Sequence, residues 1–445
     1  MQRLLSPIAD VRRHEVASVL LLTLLVFLLL AAYYLLKTVR EVLILTEGGA
    51  EVKSYSSAGQ AVLFLFLVPA YGAFASRVPP VKLVTTVTLF FAAHVVLFIL
   101  AIAAGLRVGV VYFLWAGIFN LMVIAQFWAF ANDLYTEEQG RRLFPLIGVG
   151  ASLGAWLGAV RAGTLIEASS PSRLLAGATV ILLIAAALVP LIHRVASRRD
   201  ELTPETPAAE APLSRDGGFE MIRRDRYLVL IAAMMLLVNV VNTTGEYLFG
   251  RYIVEQANAT FSGADPGAVA ARERFVGETY SRLYSNVNLI GFLLQMFAVA
   301  RIVKWFGVGP ALLLHPLTAL MGYLLLLRAP SLPLLTAVKI ADNSLDYSLG
   351  NTTRQVLWLP TSRAAKYKAK QAIDSFFVRM GDVASAGLVF AGERLALSVP
   401  AFAGMIIVLA LAWVGVVLSL TALRTQRVAV TNDRHHSHSR PAESA

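Results

Sequence analysis

Polar and apolar positions along this chain segregate into long blocks. Twelve apolar runs, at residues 15–43, 56–76, 83–104, 108–132, 143–167, 174–193, 227–255, 282–300, 308–327, 332–354, 372–392 and 400–423, are separated by shorter polar connections. Roughly 20 residues at about 1.5 Å of rise each cross the hydrocarbon of a bilayer, so each run predicts one transmembrane helix. Six runs precede and six follow a polar, strongly basic stretch. The pattern therefore predicts an all-α membrane protein with twelve transmembrane helices in two six-helix halves. The boundaries are an N-terminal bundle over 1–193, a cytoplasmic linker over 194–226, a C-terminal bundle over 227–424 and a disordered cytoplasmic tail over 425–445.

Composition agrees with this pattern. Hydrophobic residues make up 57% and charged residues 15% of the chain, where a soluble protein carries about 25% charged residues. The absence of cysteine excludes a disulfide framework and a thiolate metal site. The first run has no small-residue cleavage pattern and continues into Lys37, Arg40 and Glu41, so it is expected to stay as a span. Basic residues gather in alternate connections: Arg12 and Arg13, Arg77 and Lys82, Arg141 and Arg142, the 194–226 stretch, Arg301 and Lys304, Arg363 to Lys370, and the tail. The positive-inside rule then puts both termini and the linker in the cytoplasm, in a cell inner membrane. The net charge of +11 reads as topology and contact with the lipid bilayer, with no nucleic acid partner.

Two six-span halves that both start from the cytoplasm are parallel repeats about an axis along the membrane normal. Weak internal echoes support this. Lys37 to Glu41 ends the first run, and Asn242 to Glu246 sits at a similar depth in the seventh. Asn132 and Asp133 precede Arg141 and Arg142, as Asn351 to Arg354 precede a lysine run and Asp374. This symmetry suits the major facilitator architecture, whose halves rock in opposition to expose a central site to each side in turn. The second-to-third connection, Gly72 to Lys82, lacks the acidic residue usual there. The linker contains a proline-rich acidic segment from Glu201, and residues 219–226 are expected to form a short amphipathic helix.

Ionisable side chains inside spans cost a few kcal/mol each at mid-depth and usually face a cavity or a partner. Here they are Lys37, Arg40, Glu41, Arg161, Glu246, Arg251, Lys339, Asp342, Asp346, Arg354, Asp374, Arg379 and Asp382. Helical spacing puts Lys37, Arg40 and Glu41 on one face, Lys339, Asp342 and Asp346 on another, and Arg379 with Asp382 on a third. Arg251, five residues from Glu246, is a poor same-helix partner for it. Counted by helix rise, Asp382 and Asp342 fall near the midplane, about 15 Å in. For Lys37, Arg40 and Arg251, snorkelling to the outer interface is the bland alternative. Lys339 with Asp342 reads equally as a self-neutralising tie between helices. Glu246, Asp346 and Asp382 read as proton or ion carriers, salt-bridge gates or substrate ligands.

Gly148, Gly150, Gly154 and Gly158 give the fifth span a small-residue stripe, a close-packing signature of membrane helices. Phe127 and Trp128 before Asn132 suit an interfacial aromatic belt as well as a ligand stack. His435, His436 and His438 have no metal-ligand spacing. With no Walker-type phosphate loop and no nucleophile-base-acid set, neither an enzyme nor a cofactor is expected.

Several segments, in order along most of the chain, resemble the ATP/ADP translocases of major-facilitator type, the nucleotide transporters of plastids and obligate intracellular bacteria. They are Lys37-Thr38-Val39-Arg40-Glu41, Phe127 to Asn132 with Glu138, Arg142 to Gly148, Gly245-Glu246, Arg301 to Gly307, and Lys370 to Asp374 with Arg379 to Gly381. The resemblance implies that Arg40 stands where that family has a functionally important lysine in the first span, followed by an acid at Glu41. It also implies that Glu246 is the acid of the seventh span. Two positions depart from the family. Its lysine after the seventh-span acid becomes Gly250, with Arg251 next, and its lysine after the eleventh-span glycine becomes Asp382. A carboxylate in place of a cation removes attraction for a polyanion.

The sequence thus predicts an alternating-access transporter of an anionic small molecule, a nucleotide in ATP/ADP exchange by resemblance, acting as a monomer. Lys37, Arg40, Arg161, Arg354, Arg379 and Asn132 are its expected substrate-binding residues, since arginine forks and lysine point charges both suit phosphate. Glu41, Glu246, Asp346 and Asp382 are its expected gating or proton-coupling residues. The competing readings are a proton-coupled carrier of another small metabolite, with Asp382 or Glu246 as proton site, and a non-transporting membrane scaffold or sensor.

Overall fold

In the computed structural model, the structure describes residues 12, 15–75, 78–135, 137–168, 170–200, 217–362 and 365–438. Nearly every described residue is helical. In the first part of the chain these helices are α1 (Val16–Glu47), α2 (Gly49–Ala75), α3 (Pro80–Ala103), α4 (Gly109–Leu134), α5 (Glu137–Ala168) and α6 (Pro171–Asp200). A short α7 (Gly218–Arg224) leads into α8 (Arg226–Thr260) and α9 (Pro266–Leu293), which continues through a π turn into α10 (Val299–Phe306). Then come α11 (Val308–Arg328), α12 (Leu332–Leu345), α13 (Asn351–Val356), α14 (Lys370–Ala372), α15 (Val378–Arg394) and α16 (Val399–His438). Among the described residues, nine helical stretches are long and apolar enough to cross a membrane. The expected spans at 56–76, 332–354 and 372–392 are helical but fall outside those nine.

Apolar side chains fill the interior and also cover much of the outside, while several ionisable groups lie inside. Phe66, Leu100, Val111, Val180, Met321 and Val408 are exposed, while Glu15, Glu41, Lys339 and Asp342 are buried. Apolar faces turned outward and charges turned inward suit hydrocarbon, where a lone ion is costly. The protein is a multi-pass membrane protein.

Contacts divide the chain into two compact units, residues 1–208 with 250–289 and residues 209–249 with 290–445. In the first unit α1 is enclosed along its length, with Val19, Leu22, Val26, Leu29 and Val39 all buried. Its close partner is α5. A Cβ at Gly150 would lie 2.6 Å from the Thr23 side chain, and one at Gly158 would lie 2.7 Å from the Ala31 backbone. One at Gly154 would overlap the Phe27 carbonyl. The glycine stripe is therefore the surface on which α1 rests. Gly48 closes α1 by donating to the Ile44 carbonyl, and Gly49 (φ +78°) reverses the chain into α2.

In the second unit, π turns interrupt the helices at Leu294–Ala298, Asp346–Gly350, Ala365–Ala369 and Ile373–Phe377. The surface helix expected near 219–226 is α7. Its Phe219 ring meets Phe376 at 5.2 Å and Phe377 at 6.3 Å, while Ile222 is buried. Asp225 accepts from the Tyr227 N–H at 2.9 Å and so caps α8.

Two boundaries differ from the sequence reading. The first connection is far shorter than expected, because α2 begins at Gly49, seven residues before the hydrophobic run. The tail is not irregular from 425, since α16 continues to His438. Neither proline nor glycine interrupts that extension, and Arg427 anchors it by pairing with Asp225 and lying 4.6 Å over the Tyr227 ring. Residues 201–216 of the linker and 439–445 of the tail lie outside the described residues.

Candidate functional site

Each unit holds a cluster of buried charge, and the first also buries Glu15, which pairs with Arg142 at 3.0 Å. In the first unit the cluster centres on Glu41, which has no exposed surface. Arg40 reaches it at 2.5 Å, Lys53 at 2.7 Å and the Tyr284 hydroxyl at 3.1 Å. Lys53 also donates to the Tyr280 hydroxyl at 3.0 Å. The Lys37 ammonium sits over Tyr284 at 4.0 Å, Tyr34 at 5.2 Å and Tyr33 at 5.9 Å, a cation held against three ring faces. Arg40 lies 4.8 Å over Phe113, and Tyr34 donates to Asn288 at 2.9 Å. Arg40 and Lys53 thus pair with Glu41, and Lys37 stands one turn away on α1 over the tyrosine rings.

Arg161 and Asn132 are exposed and join neither cluster. The Arg161 carbonyl accepts from the Thr164 hydroxyl.

The second unit carries an unbroken run of ionisable groups. Glu246 meets Lys339 at 3.2 Å, and Lys339 meets Asp342 at 3.7 Å. Asp342 meets His315 Nε2 at 2.9 Å, His315 Nδ1 lies 3.9 Å from Asp346, and Asp346 binds Arg354 at 2.5 Å. Lys339 is fully buried and donates to Asn242 Oδ1 at 2.7 Å. The Asp346–Arg354 pair spans eight residues, which an uninterrupted α-helix would not align. The π turn supplies the difference, because one wide turn of roughly 4.4 residues plus one ordinary turn of 3.6 makes eight residues for two turns.

Asp382 stands apart from this run. It accepts from Asn239 at 2.8 Å and Thr243 at 3.0 Å on α8, and meets Arg379 at 3.3 Å, three residues back on its own helix. Asn239 also donates to the Val378 carbonyl, and a Cβ at Gly381 would lie 2.7 Å from Asn239. Asp382 therefore ties α8 to α15. Arg251 pairs with Glu255 at 2.9 Å.

Sequence reading missed Lys53, Tyr280, Tyr284 and His315. Lys53 lies in what hydropathy assigns to a connection, although it is buried in α2. His315 was legible as the one histidine inside the 308–327 run, followed by a helix-interior proline, Pro316.

Comparison with known proteins agrees with these features. Residues 1–104, which contain Lys37, Arg40, Glu41 and Lys53, match the model of the TLC ATP/ADP transporter family. The chain is 23% identical to ADP,ATP carrier protein 4 of Rickettsia felis, over 85% of each protein. It is 21% identical to ADP,ATP carrier protein 1 of Chlamydia pneumoniae, over 59% of this chain and 56% of that one. It is also 23% identical to the plastidic ATP/ADP-transporter of Solanum tuberosum, over 69% of this chain and 52% of that one. Among solved structures, a bacterial homologue of the iron transporter ferroportin superposes with a TM-score of 0.61 at 12% identity, covering 90% of this chain and 99% of that one. A POT family transporter does so with a TM-score of 0.60 at 13% identity, covering 92% and 96%. These likenesses show the fold, a major facilitator architecture. The first 104 residues are thus similar to the TLC ATP/ADP transporters, and most of the chain is similar to named ADP,ATP carriers.

Proposed function

We propose that this chain is an alternating-access carrier that exchanges ATP and ADP across a cell inner membrane, as a monomer with both termini in the cytoplasm. One observation carries the reading: the family match over residues 1–104 contains the α1 cluster, where Arg40 and Lys53 pair with the buried Glu41 and Lys37 lies over Tyr284. Lys37 and Arg40 supply the first contacts for the nucleotide, and Arg354 and Arg379 supply those of the second unit, with Arg161 and Asn132 along the approach. Glu41, Glu246, Asp346 and Asp382 hold the cations when no nucleotide is bound and act as gate partners. Asp382, already bonded to Asn239, Thr243 and Arg379, presents little free negative charge to a polyanion.

The test is uptake of labelled ATP into proteoliposomes with and without internal ADP, under an imposed pH gradient. Uptake that requires internal nucleotide and ignores the gradient is expected. Uptake that needs no internal nucleotide and follows the gradient supports the proton-coupled carrier instead. Loss of flux in Arg40→Ala and Glu246→Gln, with normal membrane insertion, excludes the non-transporting scaffold.

A further inference from the structure

A cavity of about 220 Å³ lies within the second unit, walled by polar side chains from two stretches of chain. Asn351, Arg354, Gln355 and Trp358 recur three or four residues apart, so they share one side of the segment that begins with α13. Lys370 and Asp374 share a side of the segment that begins with α14, and Asp374 falls in the π turn Ile373–Phe377. Met234 of α8 and the buried Trp358 add apolar wall.

Both cations of this lining are already engaged. Arg354 pairs with Asp346 at 2.5 Å, and Lys370 donates to Gln355 Oε1 at 2.8 Å. Asp374 is exposed and, among the described residues, it forms no ion pair and accepts no hydrogen bond. An ammonium only donates, so the Lys370 contact fixes the orientation of the Gln355 carboxamide and leaves its Nε2–H groups for another acceptor. One cavity thus offers a carboxylate acceptor and carboxamide donors beside an indole.

The charges select what can enter. A phosphate would meet the like charge of Asp374, and a fixed ammonium would meet those of Lys370 and Arg354. An uncharged planar group with an amine next to a ring nitrogen incurs neither penalty. Its amine donates to Asp374, and its ring nitrogen accepts from Gln355 or Asn351. Adenine carries such an edge, the N6 amine beside N7, and bases stack on aromatic side chains and guanidinium planes. A complete small-molecule pocket holds roughly 300–1,000 Å³, so this smaller cavity takes one end of a nucleotide.

We propose that the cavity is a base subsite, in which Asp374 selects a purine bearing an exocyclic amine. The inference rests on the reading of the chain as a nucleotide carrier and deepens it: Arg354 meets the nucleotide at its base, and the polyphosphate lies outside this cavity.

The test uses the full chain in detergent and compares ADP with purine riboside diphosphate, the same molecule without its 6-amino group. Titration calorimetry should show ADP binding about tenfold more tightly, the lower end for a hydrogen bond to a charged group at a partly exposed site. Asp374→Ala, a truncation at an exposed position that costs little stability, should bring the two ligands to equal affinity. Gln355→Ala should weaken both alike, because both keep the ring nitrogens. Trp358 reports the place of binding: ADP should change an emission component that Trp358→Phe lacks, and pyrophosphate should leave it unchanged. Three results overturn the inference and leave the nucleotide reading intact. They are ADP binding no tighter than the analogue, an ADP preference that survives Asp374→Ala, and a Trp358 response to pyrophosphate. Adenosine that binds with the same Asp374 dependence, while ADP does not bind, supports the inference and overturns the nucleotide reading. No binding of ADP, the analogue or adenosine overturns both.

Discussion

The Glu41 cluster makes a quantitative demand on stability. Glu41 is wholly buried and is balanced by Lys53 at 2.7 Å and Arg40 at 2.5 Å, with a hydroxyl from Tyr284 at 3.1 Å. Removing one partner of a buried ion pair destabilises by about 3–5 kcal/mol, since the remaining charge is stranded away from water. Lys53→Met leaves Arg40 and Tyr284 in place, so its loss belongs at the lower end, about 3 kcal/mol. Glu41→Gln strands two cations. Arg40, 15% exposed, still reaches water, whereas Lys53 at 8% keeps chiefly the Tyr280 hydroxyl, so the loss belongs near the upper end, about 5 kcal/mol. The double variant removes both members of the pair. It should fall short of the summed single losses by roughly 2–3 kcal/mol, the coupling expected of groups in direct contact. Thermal unfolding of the four proteins in one detergent, followed by intrinsic fluorescence, measures the cycle. Single losses that simply add, or a Lys53→Met protein that melts with the wild type, would refute the reasoning, because Arg40 alone would then balance Glu41.

Gly154→Leu places a side chain against the Phe27 backbone and should sharply reduce the yield of folded protein, whereas Gly148→Ala, where a Cβ meets nothing within 4 Å, should not. Size-exclusion profiles of the two variants decide this. Asp382→Lys, which restores the cation of the translocase pattern, should lower the melting temperature rather than improve nucleotide binding, because Asn239, Thr243 and Arg379 all point donors at that position. Equal or higher stability would show that the carboxylate is not a tie between α8 and α15. Arg427→Ala should cost only about 1 kcal/mol, since its pair with Asp225 is roughly one-third exposed and salt-screened. The same melts in high salt should narrow the difference between Arg427→Ala and wild type.

Hydropathy located the helices well because lipid-facing and core positions are both apolar, which makes each span a continuous block. It failed where polar residues are buried. Lys53 and Ser54 read as a connection, yet both are buried in α2, so the segment that completes the Glu41 cluster was assigned to solvent. His315 escaped notice because neutral histidine does not stand out among charged groups, although Asp342 and Asp346 flank it in space. Arg379 with Asp382 was legible, since three-residue spacing alone aligns them. Asp346 with Arg354 was not. Ordinary helical periodicity puts those two on different faces, and nothing in the residue pattern announces a π turn.

That wide turn makes the second unit sensitive to a particular kind of genetic change. Each π turn holds one residue beyond regular winding, so a single-codon deletion within 346–350 would leave a continuous helix rather than a broken one. Every side chain beyond it would then swing by about 100° around the axis, carrying Arg354 off the face it shares with Asp346. Point substitution explores charge at these positions, but indels explore their orientation, and homologues one residue shorter here would carry Arg354 on a different face of the helix.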